Sequence, residues 1–477
     1  MKFKIFFTNF SFMALLISLA FAEAPKRNVV FILSDDHRFD FMGFTGKLPW
    51  LKTPHMDRMA ERGVYFDQAY VTTSLCSPSR ASILTGLYAH THTIVDNQAP
   101  NPGNLTYFPE YLQDAGYQTA FFGKWHMGDE SDDPQPGFHH WESFKGQGVY
   151  TGVTLNINGE HTSYDDTVYT SDLLTEHAVE WMKQLESDQP FFVYLSHKAV
   201  HSEFKQAARH AGMYAGVDYE LPATYSQTQD GSYKDLLWPE WVKEQRHSWH
   251  GVDYMYHSKG AVGDLVIDYC ETLMGVDESI GTVMAYLKAR GIADETVVIY
   301  MGDNGFSWGE HGLIDKRHFY EESAKVPLLV RCPDLFEGGE TLHSLVQNID
   351  IAPTVMAMAG LEKKPEMHGD SFLPLLVGKE VTWRDKVFYE YYWEYDFPMT
   401  PSVFGVRTDR YKLIRYHGLW ERNELYDLQS DPHEMYNLIE HPEHQDLIRE
   451  LAGEIYDWLE NSGGMQIPLK RTIKHRW

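Results

Sequence analysis

The stretch VVFILSDDH at residues 29–37 decides the fold class of this chain of 477 residues. Its first five residues form a short apolar run that is typical of a buried strand, and polar side chains follow at once. The further runs of this form are residues 119–122, 191–195 and 296–300. Amphipathic helical patterns separate the runs, the clearest at residues 273–287, with a glycine at 291 to end it. Strands that alternate with helices predict an α/β fold, with a large domain whose mostly parallel central sheet is flanked by helices.

Reactive side chains follow each of the four predicted strands directly. Ligands of open α/β sheets bind beyond the carboxyl ends of the strands, so we expect these side chains to converge. The oxygen donors among them are Asp35, Asp36, Asp303 and Asn304. Three carboxylates and an amide suit Ca²⁺ or Mg²⁺ rather than Zn²⁺. Either pair alone is also typical of turns that cap helices, whereas both pairs at strand ends favour a metal site.

A smaller part of the chain follows from about residue 380. Its residues 387–393 are rich in aromatic side chains, and two later runs predict antiparallel strands before a closing helix at 447–459. These two runs are residues 402–408 and 411–416. The sequence therefore predicts a C-terminal α+β subdomain with an antiparallel sheet. The predicted division is a signal peptide at 1–22, a catalytic domain at 23–379 and the subdomain at 380–477.

The first 22 residues have the pattern of a secretory signal peptide. Lys2 and Lys4 precede a largely apolar run at residues 12–21, and Ala-Phe-Ala at 20–22 offers a cleavage site. The run is short for a membrane span, and no other segment approaches that length. We therefore expect an exported protein, periplasmic or secreted. The formal net charge of −27 argues against nucleic-acid binding, which needs a basic surface.

A cysteine stands directly before a proline-led, basic helix start in the sequence CSPSR at residues 76–80. A thiol at this place faces backbone N–H groups and the guanidinium of Arg80, an environment that favours an anion. The other cysteines, Cys270 and Cys332, lie in apolar patterns and are predicted to be core residues. Cys76 is therefore the cysteine with a candidate chemical role.

These motifs together resemble the type I, formylglycine-dependent sulfatases of the alkaline phosphatase superfamily. The resemblance rests on Cys-x-Pro-Ser-Arg, on Gly-Lys-Trp-His at 123–126 and on residues 312–327, and it spans nearly the whole chain. It implies that a formylglycine-generating maturation enzyme converts Cys76 to formylglycine, whose hydrate is the nucleophile. It also implies that the four oxygen donors and residue 76 hold Ca²⁺, with Mg²⁺ less favoured.

The resemblance assigns a role to each remaining catalytic candidate. Arg80 would stabilise the formylglycine hydrate, and Lys124 and Lys316 would bind the sulfate. His126 would hold the hydrate and help to expel sulfate. His201 would be the general acid for the leaving oxygen, although a valine precedes it where the family often has proline. Taken singly, such lysines are usually solvated charges and such histidines structural residues; the motifs around them favour catalysis.

The resemblance is closest to bacterial enzymes that act on sulfated polysaccharides and oligosaccharides, so it implies release of inorganic sulfate from a sulfated carbohydrate. Aromatic and polar side chains typically line such sites. The candidate substrate contacts are Trp141, Tyr150, Trp249, His250, Arg317 and His318. In the aromatic insertion 202–260, the histidines at 247, 250 and 257 are also compatible with a transition-metal site. Two other functions stay open: hydrolysis of phosphate or phosphonate esters, and non-catalytic glycan binding.

Overall fold

The computed structural model describes residues 26–127, 131–227, 236–254, 261–417, 421–466 and 468. Numbered in chain order, its strands are β1 Val29–Ser34, β2 Val64–Phe66, β3 Ala69–Tyr70, β4 Gln118–Lys124, β5 His140–Phe144, β6 Thr154–Ile157, β7 Glu160–Ser163, β8 Phe191–Ser196, β9 Val297–Gly302, β10 Ser307–Trp308, β11 Ile314–Asp315, β12 Leu328–Arg331, β13 Glu340–Leu342, β14 Val346–Gln347, β15 Lys386–Tyr391, β16 Val403–Thr408, β17 Tyr411–Tyr416 and β18 Glu424–Asp427. Its α-helices are Pro54–Arg62, Cys76–Thr85, Ala89–His92, Phe108–Asp114, Thr170–Gln184, Glu240–Gln245, Val262–Arg290, Glu321–Ala324, Ile351–Met358, Leu373–Leu376 and Gln445–Ser462.

A ten-stranded sheet in the order β13-β2-β12-β9-β1-β8-β4-β5-β6-β7 forms the centre of the molecule. The four predicted strands are β1, β4, β8 and β9, and together with β5 they run parallel. Antiparallel strands flank them, because β12 pairs with β9 and β6 pairs with β5. The predicted mostly parallel central sheet is therefore confirmed.

The side chains of β1 alternate between two buried faces of the sheet. Val30 and Ile32 pack with residues of the helices Thr170–Gln184 and Val262–Arg290. Val29, Phe31 and Leu33 pack with the helices Cys76–Thr85 and Ile351–Met358 on the other face. Helices on both faces explain why the strand is apolar throughout rather than alternating in polarity.

The long helix Val262–Arg290 contains the predicted helix of residues 273–287. Gly291 ends it with φ of 80°, and the N–H of Gly291 donates to the carbonyl of Leu287. Glycine takes this left-handed conformation without steric penalty, so the predicted end of the helix is confirmed.

The C-terminal part forms a four-stranded antiparallel sheet in the order β15-β16-β17-β18. The helix Gln445–Ser462 packs on it through Leu451 and Ile455. The predicted antiparallel sheet and closing helix are thus confirmed. The sheet shares a hydrophobic cluster with the main part, in which Tyr389 and Tyr391 pack with Phe319 and Tyr320. The boundary at residue 380 stays a prediction.

The predicted signal peptide at 1–22 lies outside the described residues. Across the described ranges, no helix combines the length and the apolar character needed to cross a membrane. Cys270 and Cys332 are buried, free and part of the hydrophobic core, as predicted.

Candidate active site

Three carboxylates converge where β1 and β9 end side by side. Asp35 and Asp36 follow β1, Asp303 follows β9, and one oxygen from each lies within 4.8 Å of the other two. Consecutive residues of a straight strand point to opposite faces. Asp36 avoids this because its backbone takes φ of 57°, and its N–H donates to Asp303 Oδ1 at 3.0 Å. The turn brings both neighbouring aspartates to one place.

Two buried oxygens of this cluster fit a bound cation. Asn304 Nδ2 donates to Asp36 Oδ1 at 2.7 Å. Among the described residues, Asn304 Oδ1 and Asp36 Oδ2 have no hydrogen-bond donor. Buried polar atoms rarely stay without a partner, and a hard divalent cation supplies one for oxygen donors. The donor set therefore fits Ca²⁺ or Mg²⁺.

The aspartates that follow β1 titrate differently. Burial raises the pKa of Asp36 to about 7. Burial also opposes ionisation of Asp35, but the Lys124 ammonium and other nearby cations outweigh it and hold the pKa of Asp35 well below its usual value. Of these two aspartates, Asp35 is therefore the one that nearby cations keep ionised.

Cys76 is the first residue of the helix Cys76–Thr85 and is fully buried. Its Sγ lies 3.5 Å from Asp35 Oδ1 and 3.4 Å from Lys316 Nζ. Burial, and then the charge of Asp35, raise the pKa of the Cys76 thiol to about 12. The thiol of Cys76 is therefore protonated. The sequence indicates an environment that favours an anion at this helix start, and burial outweighs that effect.

Arg80 links the ends of three strands of the central sheet. Its Nε donates to Asp303 Oδ2 at 3.0 Å, beyond β9. Its Nη1 donates to the Lys124 carbonyl at 2.7 Å in β4 and to Ser196 Oγ at 2.6 Å in β8. These bonds fix one guanidinium between the strand ends, one helical turn from Cys76.

The two lysines named by the sequence lie at the same cluster. Lys124 Nζ contacts Asp35 Oδ2, and Lys316 Nζ contacts Asp36 Oδ1. Lys124 also donates to Gln147 Oε1 at 2.5 Å. Both ammonium groups are buried, so they are fixed charges and not solvated surface lysines.

The histidines His126 and His201 stand beside the charged cluster as neutral rings. Burial, and then the nearby Lys124, hold the pKa of His126 well below its usual value; its Nε2 lies 3.3 Å from Gln147 Nε2. Burial likewise lowers the pKa of His201. Its Nδ1 lies 2.7 Å from the Ser202 carbonyl and donates to it, so Nε2, 3.9 Å from Asp36 Oδ2, carries the lone pair.

A cavity of about 460 Å³ opens beside these residues. Its lining mixes polar, charged and aromatic side chains: Asn97, Gln98, Gln147, His201, Trp249, Lys316, Arg317, Asp396 and Phe397. Trp249 stands at the rim and is 57% exposed. A cavity of this size and lining is typical of a small-ligand site.

One wall of the cavity is a stacked cluster around Phe397. The guanidinium carbon of Arg317 lies 3.8 Å from the Phe397 ring centroid. Arg317 is held by Glu394 at 2.7 Å and by Asp315 at 2.5 Å. His250 stacks on Phe397 with centroids 4.5 Å apart and lies 3.3 Å from Asp315. His250 therefore supports the wall, whereas Arg317 lines the cavity.

The remaining candidate contacts lie elsewhere. His318 is buried, with Nε2 3.1 Å from Ser307 Oγ, and it is not among the residues that line the cavity. Trp141 is a core residue, with its indole N–H bonded to a backbone carbonyl. The Tyr150 hydroxyl donates to the His201 carbonyl. His257 lies outside the described residues.

Sequence reasoning missed several cavity residues that come from loops: Asn97, Gln98, Asp396 and Phe397. Gln147 had a usable signal, because it stands between Gly146 and Gly148, whose φ values are 54° and 65°. Two left-handed glycines around one polar residue indicate a turn that presents that side chain. Its amide contacts both Lys124 and His126.

Comparisons with known proteins identify the family of this chain. The family model described as Sulfatase matches residues 27–361, and the model described as N-sulphoglucosamine sulphohydrolase, C-terminal, matches residues 309–461. The N-acetylglucosamine-6-O-sulfatase of Bacteroides thetaiotaomicron is 32% identical over 90% of this chain and 85% of its own. The human N-acetylglucosamine-6-sulfatase is 31% identical over 87% and 82%.

A solved structure, of a protein in complex with its substrate D-glucosamine-2-N,6-O-disulfate, superposes with a TM-score of 0.81. It is 29% identical in sequence, and the match covers 94% of this chain and all of that one. The family match covers well over half of the chain, and the fold described above matches that of this solved structure. The chain therefore belongs to the sulfatase family and is a sulfuric ester hydrolase.

Proposed function

We propose that this protein removes sulfate from the 6-position of a glucosamine-type sugar in a sulfated polysaccharide or oligosaccharide. The observation that carries the proposal is the group of fixed cations, Lys124, Lys316 and Arg80, packed around Cys76 and opening into a cavity with aromatic and polar walls. The names of the relatives described above support the choice of sugar and position.

Two groups that the chain acquires would supply the reactive chemistry. Residue 76 as formylglycine supplies a hydrate hydroxyl as nucleophile, and Ca²⁺ supplies positive charge beside it. Asp35, Asp36, Asp303 and Asn304 would hold the cation, because their oxygens converge and two of them have no donor among the described residues. Formation of formylglycine makes a maturation enzyme a partner of this protein.

The charges of the site balance before the acquired groups are added. When all three aspartates are ionised, Lys124, Lys316 and Arg80 neutralise them, so a bound divalent cation would leave the cluster positive and attractive to the single negative charge of a sulfate ester. Buried cations in a site of low dielectric stabilise the oxygens of sulfate strongly and do not have to reorganise during the reaction. Lys124 and Lys316 bind these oxygens, and Arg80 positions the strand ends around them.

Proton transfer falls to the two histidines. His201 lines the cavity, so its Nε2 would meet the leaving oxygen of a sugar bound there. The ring is neutral by itself, but the negative charge of the incoming sulfate ester stabilises its protonated form and enables it to donate a proton to the leaving oxygen. His126, beside Lys124, holds the attacking group and accepts a proton when sulfate is expelled.

The sugar ring would bind in the cavity. Trp249 at the rim offers an apolar surface to the face of a sugar, and Arg317 and Asp396 offer hydrogen bonds to its hydroxyls. Arg317 is suited to this because Asp315, Glu394 and the Phe397 ring hold it in place.

We also infer that the protein is exported. The basic and apolar pattern of residues 2–22 supports this inference, and such a location gives access to extracellular glycans. Expression with and without these residues, followed by fractionation, tests it: the full chain is expected outside the cytoplasm and the shortened chain inside.

The central test is sulfate release by protein whose residue 76 has been characterised by peptide mass spectrometry. The substrates are N-acetylglucosamine 6-sulfate, an isomer with sulfate at another position, and an aryl phosphate. We expect release from the 6-sulfate, little from the isomer and little phosphate. Cys76→Ala is expected to abolish release and keep the fold, whereas Cys270→Ala, a buried cysteine outside the site, keeps activity. Activity retained in Cys76→Ala, or faster phosphate release, contradicts the proposal.

A further inference from the structure

A second cavity lies next to the site, and a buried lysine that has no role in the proposed chemistry lines it. This cavity has a volume of about 510 Å³ and adjoins the first cavity, with which it shares Gln147 and His201. Lys198 lines it and is only 6% exposed. The residue comes two positions after β8 ends, on the segment that leads to His201.

Lys198 differs from the other buried lysines of the site in what surrounds it. Its Nζ donates to the Ser202 carbonyl at 3.0 Å and lies 4.9 Å from the centroid of the Tyr150 ring. Among the described residues, no carboxylate reaches ion-pair distance of this ammonium, whereas Lys124 and Lys316 each contact an aspartate. Asp35, Asp36 and Glu203 act on Lys198 only at longer range, and of these Glu203 lines the same cavity.

A buried ammonium without a directly paired anion is unfavourable, because burial removes its water and carboxylates at longer range replace that water only in part. Burial accordingly lowers the pKa of Lys198 to about 8. A ligand that brings a negative charge restores the missing partner. Lys205, at the exposed rim of the cavity, adds a second ammonium, 3.2 Å from Thr151 Oγ1.

The two cavities meet at His201 and Gln147, and each has the volume of a small-ligand site. A glycan whose cleaved sugar filled the first cavity would have the second cavity beside it for its next sugar. That sugar would then reach Lys198.

We propose that the second cavity is an anion subsite that binds a sulfate or carboxylate group on the sugar next to the one that is cleaved, with Lys198 as its anchor and Lys205 at its rim. The proposal rests on the proposed function, since it concerns the same substrate. The protein then selects glycans that carry negative charge on neighbouring sugars.

The test compares disaccharides that share the scissile 6-sulfate. One has no other charge, a second carries a sulfate on the neighbouring sugar, a third a carboxylate there, and a fourth the extra sulfate on the cleaved sugar. We expect KM to fall about tenfold with the charge on the neighbouring sugar, as one charge-assisted hydrogen bond provides. The two neighbouring-sugar substrates distinguish sulfate from carboxylate as the preferred group.

Lys198→Met keeps the length of the side chain and removes its charge. It is expected to abolish the KM difference between the charged and uncharged disaccharides, and Lys198→Arg to restore part of it. Lys183→Met is the control, because Lys183 is exposed on the helix Thr170–Gln184 and pairs with Glu180. Its KM values are expected to equal those of the wild type.

Three results would overturn the inference. Equal KM values for all disaccharides in the wild type leave the proposed function standing and refute the subsite. A lower KM only for the disaccharide with the extra sulfate on the cleaved sugar would mean that the additional anion binds in the first cavity. A Lys198→Met variant that loses kcat equally on every disaccharide shows that the lysine only supports the His201 segment. Failure to cleave any disaccharide refutes the proposed function itself.

Discussion

The replacement Lys412→Met tests how the C-terminal sheet is held to the main part. Lys412 lies in β17 and is fully buried. Its ammonium lies 2.8 Å from Glu321, 2.7 Å from Glu434 and 2.7 Å from the Phe319 carbonyl, to which it donates. Methionine fills a similar volume but removes the counter-ion of Glu434 and leaves Glu321 with its longer ion pairs to Lys325 and Arg407.

Loss of one partner from a buried ion pair destabilises a protein by about 3–5 kcal/mol. Burial raises the pKa of Glu434 to about 7, so protonation of that group would reduce the loss in acid and the measurement is made at pH 8. The control is Lys386→Met in β15 of the same sheet, where the lysine is 25% exposed and lies 2.9 Å from Glu454. An exposed pair of this kind contributes about 0–1 kcal/mol.

Urea unfolding followed by circular dichroism and by tryptophan fluorescence measures both variants. We expect Lys412→Met to lower the free energy of unfolding by at least about 2 kcal/mol more than Lys386→Met does. Equal decreases in the free energy of unfolding would refute the reasoning, because they would mean that the buried ion pair stabilises the fold no more than the exposed one. A variant that unfolds in two separate transitions, with the C-terminal sheet first, would locate the loss at the junction.

Further predictions concern the backbone, the pH dependence and the metal. In thermal unfolding, Gly123→Ala is expected to destabilise the fold far more than Gly116→Ala. Gly123 has a φ of 109°, and a Cβ at this residue would lie 1.9 Å from the Ser196 carbonyl oxygen. A Cβ at Gly116 would enter open space. The hydrogen bond to Glu142 raises the pKa of His177, so this contribution to stability is complete below about pH 6.5 and is lost as the pH rises through the raised value. His177→Gln should therefore lower Tm more at pH 5.5 than at pH 8.5; an equal decrease would contradict the assignment. A chelator should abolish sulfate release and lower Tm, and Ca²⁺ should restore both; unchanged Tm and activity after verified metal removal would count against the site.

The sequence predicted the parts of the fold that local pattern determines. A run of five apolar residues between helical segments predicts a strand that is covered on both faces, and β1 is buried on both faces as expected. The convergence of Asp35 and Asp303 followed from the rule that parallel strands end at one edge. The left-handed backbone of Asp36 is part of the same convergence, because adjacent residues of a straight strand point to opposite faces.

The cavity wall was not predictable in this way. Arg317 and His318 are neighbours in sequence, yet Arg317 lines the cavity and His318 is buried against Ser307. The backbone at Arg317 has φ of 84°, which no local pattern at that residue signals. Phe397 lies some eighty positions further along the chain and reaches the site only because the C-terminal sheet docks on the main part. Tertiary packing, rather than periodicity, decides these positions.

The residues of the site come partly from strand ends and partly from loops, and this has a consequence for how sugar preference can change in such an enzyme. Lys124 and Lys316, the proposed sulfate-binding cations, lie at the end of β4 and directly after β11, whereas Asp396 and Phe397 belong to the connection between β15 and β16, residues 392–402. Loops accept insertions and exchanges more readily than the elements that they join. Grafting this single connection between homologous enzymes is thus a route to new sugar preferences, with the machinery for sulfur left untouched.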